Sequence, residues 1–264
     1  MYRFFSYVDY AKKRLEEIVV EKEFLNDLSE DSKRNLIEKL ENSLYYKDGY
    51  EDKYSLFHKV RSSILPYIKE CYCKQYRMHI DCTIRDEFIE KQFTRMFQII
   101  SPDNEKTFML PFSTTCEPIS TIEEDKLMEV ICCNYSENNN ETQIDYLDQV
   151  KNGIEKTTLD DGRIVFSYSH KFGLMKGINN IKIITKTIVP ASDTTYVHRI
   201  LVPCERYSVN FSLCSDGYQV NGVGFSLDVK SNVQVEKYEK CCKLVFQNWV
   251  LPGEGCAFTI KKAT

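Results

Sequence analysis

The chain has 264 residues, of which 42% are apolar and 12% aromatic, so it is long enough to bury a full hydrophobic core. Its formal net charge of −4 argues against a protein whose affinity depends on many phosphate contacts, and no apolar stretch approaches the roughly 20 residues that cross a bilayer. The N-terminus lacks the apolar centre and cleavage site of a signal peptide, so we expect a cytoplasmic protein whose 11 cysteines are mostly reduced.

The first predicted elements are helices. Apolar residues recur at spacings of three and four over residues 8–19 and again over 36–44, which is the pattern of amphipathic helices. Ser29 lies between these two stretches and has the hydroxyl that an N-cap position favours. The pattern therefore predicts a helical hairpin over residues 7–47.

After the helical region the apolar period changes from 3.6 to 2, which is typical of strands that bury one face. In one predicted strand, alternation places Phe93, Arg95 and Phe97 on the same face. Short alternating runs with turn residues between them favour a sandwich or barrel over alternating β and α units. The predicted fold is α+β, mainly β: a helical N-terminal region at residues 1–68, then an antiparallel β-sandwich or barrel at residues 69–264.

Three local features are predicted towards the C-terminus. The apolar alternation breaks phase at Gly222, where a β-bulge would restore it. Trp249 is expected to anchor the core of a closing hairpin. Pro252 and Gly253 are the residue types that a type II turn takes at its second and third positions.

Four potential metal ligands lie close together in the sequence: Cys71, Cys73, His79 and Cys82. Thiols and imidazole are the groups that bind a structural zinc, but this spacing matches no familiar zinc finger. On one extended strand Cys82 would face away from the other three, and buried free thiols explain the same residues. No metal site is assigned, and whether these four residues bind a metal is left open.

No residue is assigned a catalytic role. The sequence contains none of the common motifs for nucleotide hydrolysis, dinucleotide binding, zinc proteases or α/β-hydrolases. No cysteine is spaced so as to pair with His170 or His198 as a nucleophile. The adjacent pairs Cys132-Cys133 and Cys241-Cys242 are each expected to provide one buried and one exposed thiol, because neighbours on a strand face opposite ways.

Basic and aromatic side chains between residues 182 and 206 provide the candidate ligand site. Cations pair with phosphate and aromatic rings stack on bases, so the combination suits a small nucleotide-like ligand. A solvated sheet face is the alternative explanation of the same pattern. The predicted ligand-binding residues are Lys182, Lys186, Tyr196, His198, Arg199 and Arg206.

Three segments, residues 197–211, 222–225 and 249–255, resemble the β-rich ligand-sensing domains of bacterial anti-phage effectors. The Trp-x-Leu-Pro-Gly-x-Gly ending is the most specific part of this likeness, which covers roughly residues 70–262. In some members of that group the domain follows two transmembrane helices and forms a barrel that receives a cyclic nucleotide signal. Here the N-terminal segment is amphipathic and charged, so the resemblance does not imply membrane disruption.

The expected function is therefore that of a non-enzymatic binding or sensing module of a bacterial defence or signalling system. Its ligand would be a small nucleotide-like molecule or a protein partner, with no cofactor, no membrane contact and no binding of bulk nucleic acid. One alternative is a structural, oligomerisation or adaptor protein that acts through residues 7–47. Another is an enzyme whose site is assembled from residues distant in sequence, such as His170 or His198 with a cysteine or carboxylate.

Overall fold

The computed structural model describes residues 29, 31–32, 71–104, 106–137, 143–226 and 233–263. The chain divides into two units between residues 63 and 64, and every strand given below lies in the second unit. The predicted helical hairpin at residues 7–47 lies outside the described residues except at Ser29 and residues 31–32. There the Ser32 backbone N–H donates a hydrogen bond to Ser29 Oγ at 3.2 Å.

Eight of the fourteen strands in the described ranges, numbered in chain order, form one large sheet. Their order across the sheet is β12 (Val233–Tyr238), β13 (Cys241–Phe246), β10 (Tyr207–Leu213), β1 (Tyr72–Ile84), β2 (Phe88–Ser101), β8 (Gly177–Pro190), β4 (Met128–Glu137) and β5 (Ile144–Asp145). Neighbouring strands are antiparallel except β1 and β10, which are parallel. Within the described part of the chain the edge strands β12 and β5 do not pair with each other, so the large sheet is open.

Two three-stranded sheets pack on the inner face of the large sheet. One contains β11 (Tyr218–Phe225), β14 (Gly255–Lys262) and β9 (Thr195–Arg199), and the other contains β3 (Lys106–Cys116), β7 (Ile164–Leu174) and β6 (Glu155–Thr158). The ring centroids of Phe258 on β14 and Phe211 on β10 lie 5.1 Å apart. Those of Phe172 on β7 and Tyr135 on β4 lie 6.4 Å apart. These contacts make a layered, sandwich-like core.

The prediction of an α+β fold with an antiparallel sandwich or barrel is wrong for the described residues. Strands account for 66% of them and helices for 6%. One α-helix, α1 (Leu147–Asn152), is bounded within this part of the chain, beside a 3₁₀ helix at Glu124–Lys126. The parallel pairing of β1 with β10 makes the large sheet mixed, and its open edges exclude a closed barrel of these strands. None of the helices described is long and apolar enough to cross a membrane.

Strand β2 shows how the inner face of the large sheet is built. Its side chains alternate between the two faces, and Ile89, Phe93 and Phe97 are buried on the inner one. Lys91 and Arg95 share their phase and are only 3% and 8% exposed. Charged side chains are rarely buried to this extent unless they are paired. Because side chains alternate between the two faces of β2, Lys91 and Arg95 lie in the apolar interior.

The β-bulge predicted at Gly222 is absent, because β11 and β14 pair in continuous register along their whole length. The alternation of inward and outward positions along β11 continues through Gly222. This residue faces inward, where the sheet that contains β11 lies very close to the large sheet. A Cβ on Gly222 would lie 2.7 Å from Cε1 of Phe258 and 2.9 Å from Sγ of Cys242. The loss of apolar alternation in the sequence thus marks tight sheet packing, for which only glycine leaves room.

The C-terminal segment confirms one prediction and contradicts two others. Gly253 has a φ of 95°, and the Glu254 N–H donates to the Leu251 carbonyl at 3.0 Å, as a type II turn requires. No closing hairpin forms, because β13 pairs with β10 and β12 whereas β14 pairs with β11 and β9. Trp249 is 49% exposed and lies beside Tyr72, with 5.5 Å between the ring centroids, so it does not anchor the core.

Replacing Gly222 with alanine should lower the free energy of unfolding by about 1–3 kcal/mol, because the new methyl group overpacks the contact between two sheets. The matched control is Gly173→Ala on β7, where a Cβ would meet no atom within 4 Å. Urea denaturation of both variants and the parent measures the difference. Equal stability of the two variants would contradict the close approach at Gly222.

Candidate functional site

A cavity of about 510 Å³ lies between the inner face of the large sheet and the strands β3 and β9. Strands β2 and β8 form its floor, and the segment at residues 200–204 continues the wall that β9 begins. The volume falls within the range of about 300–1,000 Å³ that is typical of small-molecule sites. Most of the lining side chains are apolar or aromatic, so the few charged groups among them determine what the cavity can bind.

Arg95 places a guanidinium group inside this cavity. Its Nη1 donates a hydrogen bond to Thr185 Oγ1 at 2.6 Å, and the rings of Phe93 and Phe112 lie 4.8 and 4.9 Å from its Cζ. The ion pairs of the described residues do not include Arg95. Aromatic faces stabilise a buried cation only in part, so this charge still favours an anionic partner.

Lys91, the second buried cation, is already paired. Its Nζ lies 3.3 Å from Oδ2 of Asp193 and 3.4 Å from the backbone oxygen of the same residue. The Asp193 side chain is 42% exposed and belongs to the turn between β8 and β9. The positive charge of Lys91 is therefore offset at the rim of the cavity, whereas no ion pair among the described residues offsets that of Arg95.

His198 and Tyr196 extend from β9 towards the floor of the cavity. The ring centroids of His198 and Tyr76 lie 5.6 Å apart, and those of Tyr196 and Phe93 lie 5.1 Å apart. Burial, with a smaller contribution from Arg95, lowers the pKa of His198 to about 3, so its imidazole is neutral at physiological pH. Its Nε2 is buried without a hydrogen-bond partner in the described structure, which leaves it available to a ligand.

The Trp-x-Leu-Pro-Gly-x-Gly ending holds the β9 wall in place. The Ile200 N–H donates to the Glu254 carbonyl at 2.7 Å, and the Gly253 N–H donates to the Ile200 carbonyl at 2.9 Å. A Cβ on Gly255 would lie 2.0 Å from the backbone oxygen of His198, so only glycine allows β14 to approach β9 so closely. The motif thus builds the cavity wall from backbone contacts and does not present a ligand group.

Three of the six predicted ligand-binding residues line this cavity: Tyr196, His198 and Arg199. Sequence reasoning missed the two buried cations, Lys91 and Arg95. The signal for Arg95 was present in the sequence, because it shares its phase with the apolar residues of the strand. A cation in the buried phase of a strand indicates a site more specifically than a basic residue in the exposed phase does.

The other three predicted residues lie elsewhere. Lys182 is exposed on the outer face of β8 and lines a separate, smaller cavity of about 240 Å³. Lys186 also belongs to the outer face, with its Nζ 3.5 Å from Oε2 of Glu90. Arg206 is exposed, and its Nε lies 3.8 Å from Oε1 of Glu205. The structure therefore does not bring the six residues together in one site.

The potential metal ligands of β1 are also separated. A register shift between Cys73 and Gln75 moves the buried phase of the strand by one residue. Cys73 and Cys82 consequently face the interior, whereas His79 lies on the outer face, where its Nε2 is 2.9 Å from Oδ1 of Asp81. The prediction that Cys73 and His79 share a face is wrong. No three or more His, Cys, Asp and Glu side chains in the described ranges are arranged to hold a metal ion.

The adjacent cysteine pairs follow the predicted alternation. Cys133 and Cys242 are fully buried, whereas Cys132 and Cys241 are partly exposed. Burial raises the pKa of the Cys133 thiol to about 12 and also raises that of Cys242. A thiol that stays protonated at neutral pH is a poor nucleophile, so the geometry gives these two residues a packing role.

Comparison with known proteins finds distant structural similarity but no match to a family model or a curated protein. The crystal structure of the M1 zinc metallopeptidase from Deinococcus radiodurans matches 72% of this chain and 42% of that chain, with 7% identity and a TM-score of 0.34. A mutant of the M1 zinc metallopeptidase from the same organism, bound to a Tyr-Ser-Ala substrate, matches 72% and 43% with 8% identity and a TM-score of 0.32. This chain spans less than half the length of these proteins, and so distant a likeness carries no argument about its function.

Replacing His198 with glutamine should flatten the pH dependence of stability between pH 6.5 and 3. The pKa of His198 is about 3 in the folded state and about 6.5 in an unfolded chain, so in this window the unfolded state binds the extra proton. Stability is then lost as pH falls, by up to about 1.4 kcal/mol per pH unit from this group. Urea denaturation at several pH values measures the slope, and His79→Gln on the outer face is the control. Parallel profiles for the parent and His198→Gln would contradict a buried neutral imidazole.

Proposed function

We propose that the chain is a non-enzymatic binding module that takes a small organic anion, such as a nucleotide-like molecule, into the 510 Å³ cavity. The observation that carries this proposal is the Arg95 guanidinium, which is buried among aromatic rings and takes part in no ion pair of the described residues. The sequence resemblance suggests the setting, a cytoplasmic component of a bacterial defence or signalling system.

The chemistry of Arg95 favours an anion with two acceptor atoms. A guanidinium is planar, always charged and shaped to donate two parallel hydrogen bonds to a carboxylate or a phosphate. Such charge-assisted bonds are the strong ones, and they are strengthened where water is excluded. A bound anion would supply the partner charge that none of the described residues places beside Arg95 in an ion pair.

The remaining lining favours a ligand with an aromatic or apolar body. Tyr76, Phe97 and Tyr196 also line the cavity and give it aromatic ring surface, on which a base or another flat ring can stack. Thr185 and the buried Nε2 of His198 provide polar groups that can fix the orientation of the ligand. The cavity is thus suited to a molecule that is apolar over most of its surface and anionic at one end.

The pKa values of His198 and Tyr196 favour binding without turnover. Burial lowers the pKa of His198 to about 3 and raises that of Tyr196 to about 12. General acids and bases work best with a pKa near the working pH, and neither group has one. These two side chains can donate hydrogen bonds to a ligand or accept them from it, but their pKa values are poorly matched to proton transfer at pH 7.

A thermal-shift screen tests the proposal. The panel should contain cyclic mono- and dinucleotides, linear nucleotides, and aryl and acyl carboxylates, each added to the parent, to Arg95→Gln and to Arg206→Gln. A ligand at a hundredfold excess over its Kd stabilises the parent by about 2.7 kcal/mol. Removing the charge of Arg95 should cost at least about 2 kcal/mol of binding free energy, roughly a 30-fold loss of affinity.

Arg206→Gln serves as the control, because Arg206 lies outside the cavity. It should bind any active compound as the parent does. No shift with any compound would contradict the proposal and direct attention to a protein partner. A compound that stabilises Arg95→Gln as strongly as the parent would contradict the role given to Arg95.

In the absence of ligand, Arg95→Met should be at least as stable as the parent. Methionine keeps much of the apolar volume and removes a buried charge that has no ion-pair partner in the described structure, a change that is often neutral or stabilising. Urea denaturation of both proteins measures this, and the same measurement on Arg95→Gln shows whether its loss of binding is a loss of folding. A loss of more than about 2 kcal/mol would indicate that Arg95 is mainly structural.

A further inference from the structure

We propose that the cavity selects ligands with a single negative charge, on a carboxylate or a phosphodiester, and that Asp193 sets this selectivity. This inference rests on the proposed function, because it concerns the ligand of the same cavity. It goes further by naming the charge of the ligand and the residue that determines it.

The ionisable side chains that line the cavity give the charge balance. Lys91 and Arg95 are buried cations, and Asp193 is the carboxylate among the described residues that line the cavity. Arg199 also lines the cavity, but its side chain is exposed at the rim, where water and salt screen its charge. His198 is neutral. Among the residues that the structure describes, the interior is thus left with one positive charge that is not offset.

While Lys91 is paired with Asp193, it does not act as a second anchor for the same anion. Lys91 and Arg95 are four residues apart on one strand, a separation of about 13 Å between their Cα atoms. The Nζ of Lys91 is directed at Asp193, where it meets both a carboxylate oxygen and the backbone oxygen. Arg95 is directed instead at Thr185 on β8. The two cations therefore serve different partners.

A ligand with one negative charge completes the balance, whereas a second negative charge would be buried without a partner. Burying an unpaired charge is costly, so a dianion of the same shape should bind more weakly. Asp193 enforces this preference because its carboxylate occupies Lys91. Removing that carboxylate would release a second cation to the ligand.

Asp193→Asn makes this change while it nearly preserves the shape of the side chain. The contact between Lys91 and the backbone oxygen of residue 193 does not depend on the carboxylate, so Lys91 keeps one of its partners. The variant should bind a dianion more tightly, relative to the matched monoanion, than the parent does. Asp160→Asn, at an exposed position outside the cavity, is the matched control.

The experiment uses two pairs of probes in which the body is shared and the charge differs. One pair is cyclic AMP and AMP, and the other is 2-naphthoate and 2-naphthyl phosphate. At pH 8 the phosphomonoesters carry close to two negative charges, because their second pKa is about 6. Isothermal titration calorimetry measures each Kd for the parent, Asp193→Asn, Asp160→Asn and Arg95→Gln.

We expect the parent and Asp160→Asn to bind at least one monoanion about tenfold or more tightly than its dianionic counterpart. Asp193→Asn should shift this ratio by at least about tenfold towards the dianion, and Arg95→Gln should weaken both. Lys91→Gln provides an independent check, because it removes a cation and should weaken both anions instead of favouring the dianion. The pair that binds shows whether the body is nucleotide-like or simply aromatic.

Each other outcome overturns a specific statement. If the parent binds none of the four probes, this inference fails, and the proposed function fails with it when the thermal-shift panel also shows no binding. If the parent prefers the dianions, or if Asp193→Asn keeps the ratio of the parent while Arg95→Gln abolishes binding, the single-charge inference is wrong and the anion-binding proposal stands. Circular dichroism of each variant confirms that the comparison is made between folded proteins.

Discussion

The burial of two cations in the apolar phase of β2 is the constraint on which the rest of the site depends. An extended strand cannot turn single side chains away from its faces, so Lys91 and Arg95 must enter the interior with Phe93 and Phe97. The two charges are accommodated differently. Lys91 reaches Asp193 at the rim, whereas Arg95 is placed between aromatic rings and a threonine hydroxyl. The space left around Arg95 is the cavity.

The backbone architecture keeps this space open. A sandwich normally closes when side chains from its two layers interdigitate. Here the layer opposite the large sheet consists of two separate three-stranded sheets, and β3 of one and β9 of the other border the same cavity. The Trp-x-Leu-Pro-Gly-x-Gly ending then fixes β9 through its backbone, with Gly255 seated against His198. The most specific motif of the sequence therefore determines a wall and does not identify a ligand.

Some local sequence signals predicted local structure, whereas the pairing of distant strands could not be predicted from them. The alternation of Phe93, Arg95 and Phe97 and the turn at Gly253 were readable because both depend on neighbouring residues. The parallel pairing of β1 with β10 was not, since it joins residues more than a hundred positions apart. Site prediction failed for Lys182 for a related reason: residues close in sequence on one strand face opposite sides of the sheet. The predicted site did not take into account which face of its strand each basic residue lies on. It therefore combined residues of the outer surface with residues of the cavity wall.

The chain's single tryptophan, Trp249, is an intrinsic fluorescent probe whose position determines what it can report. Trp249 is half-exposed beside Tyr72 and does not line the cavity, so a bound molecule would not quench its emission by direct contact. The next residue, Val250, exchanges two backbone hydrogen bonds with Cys204 in the cavity wall. A change in fluorescence at this indole would therefore report movement of the wall, whereas occupancy without movement would leave the spectrum unchanged.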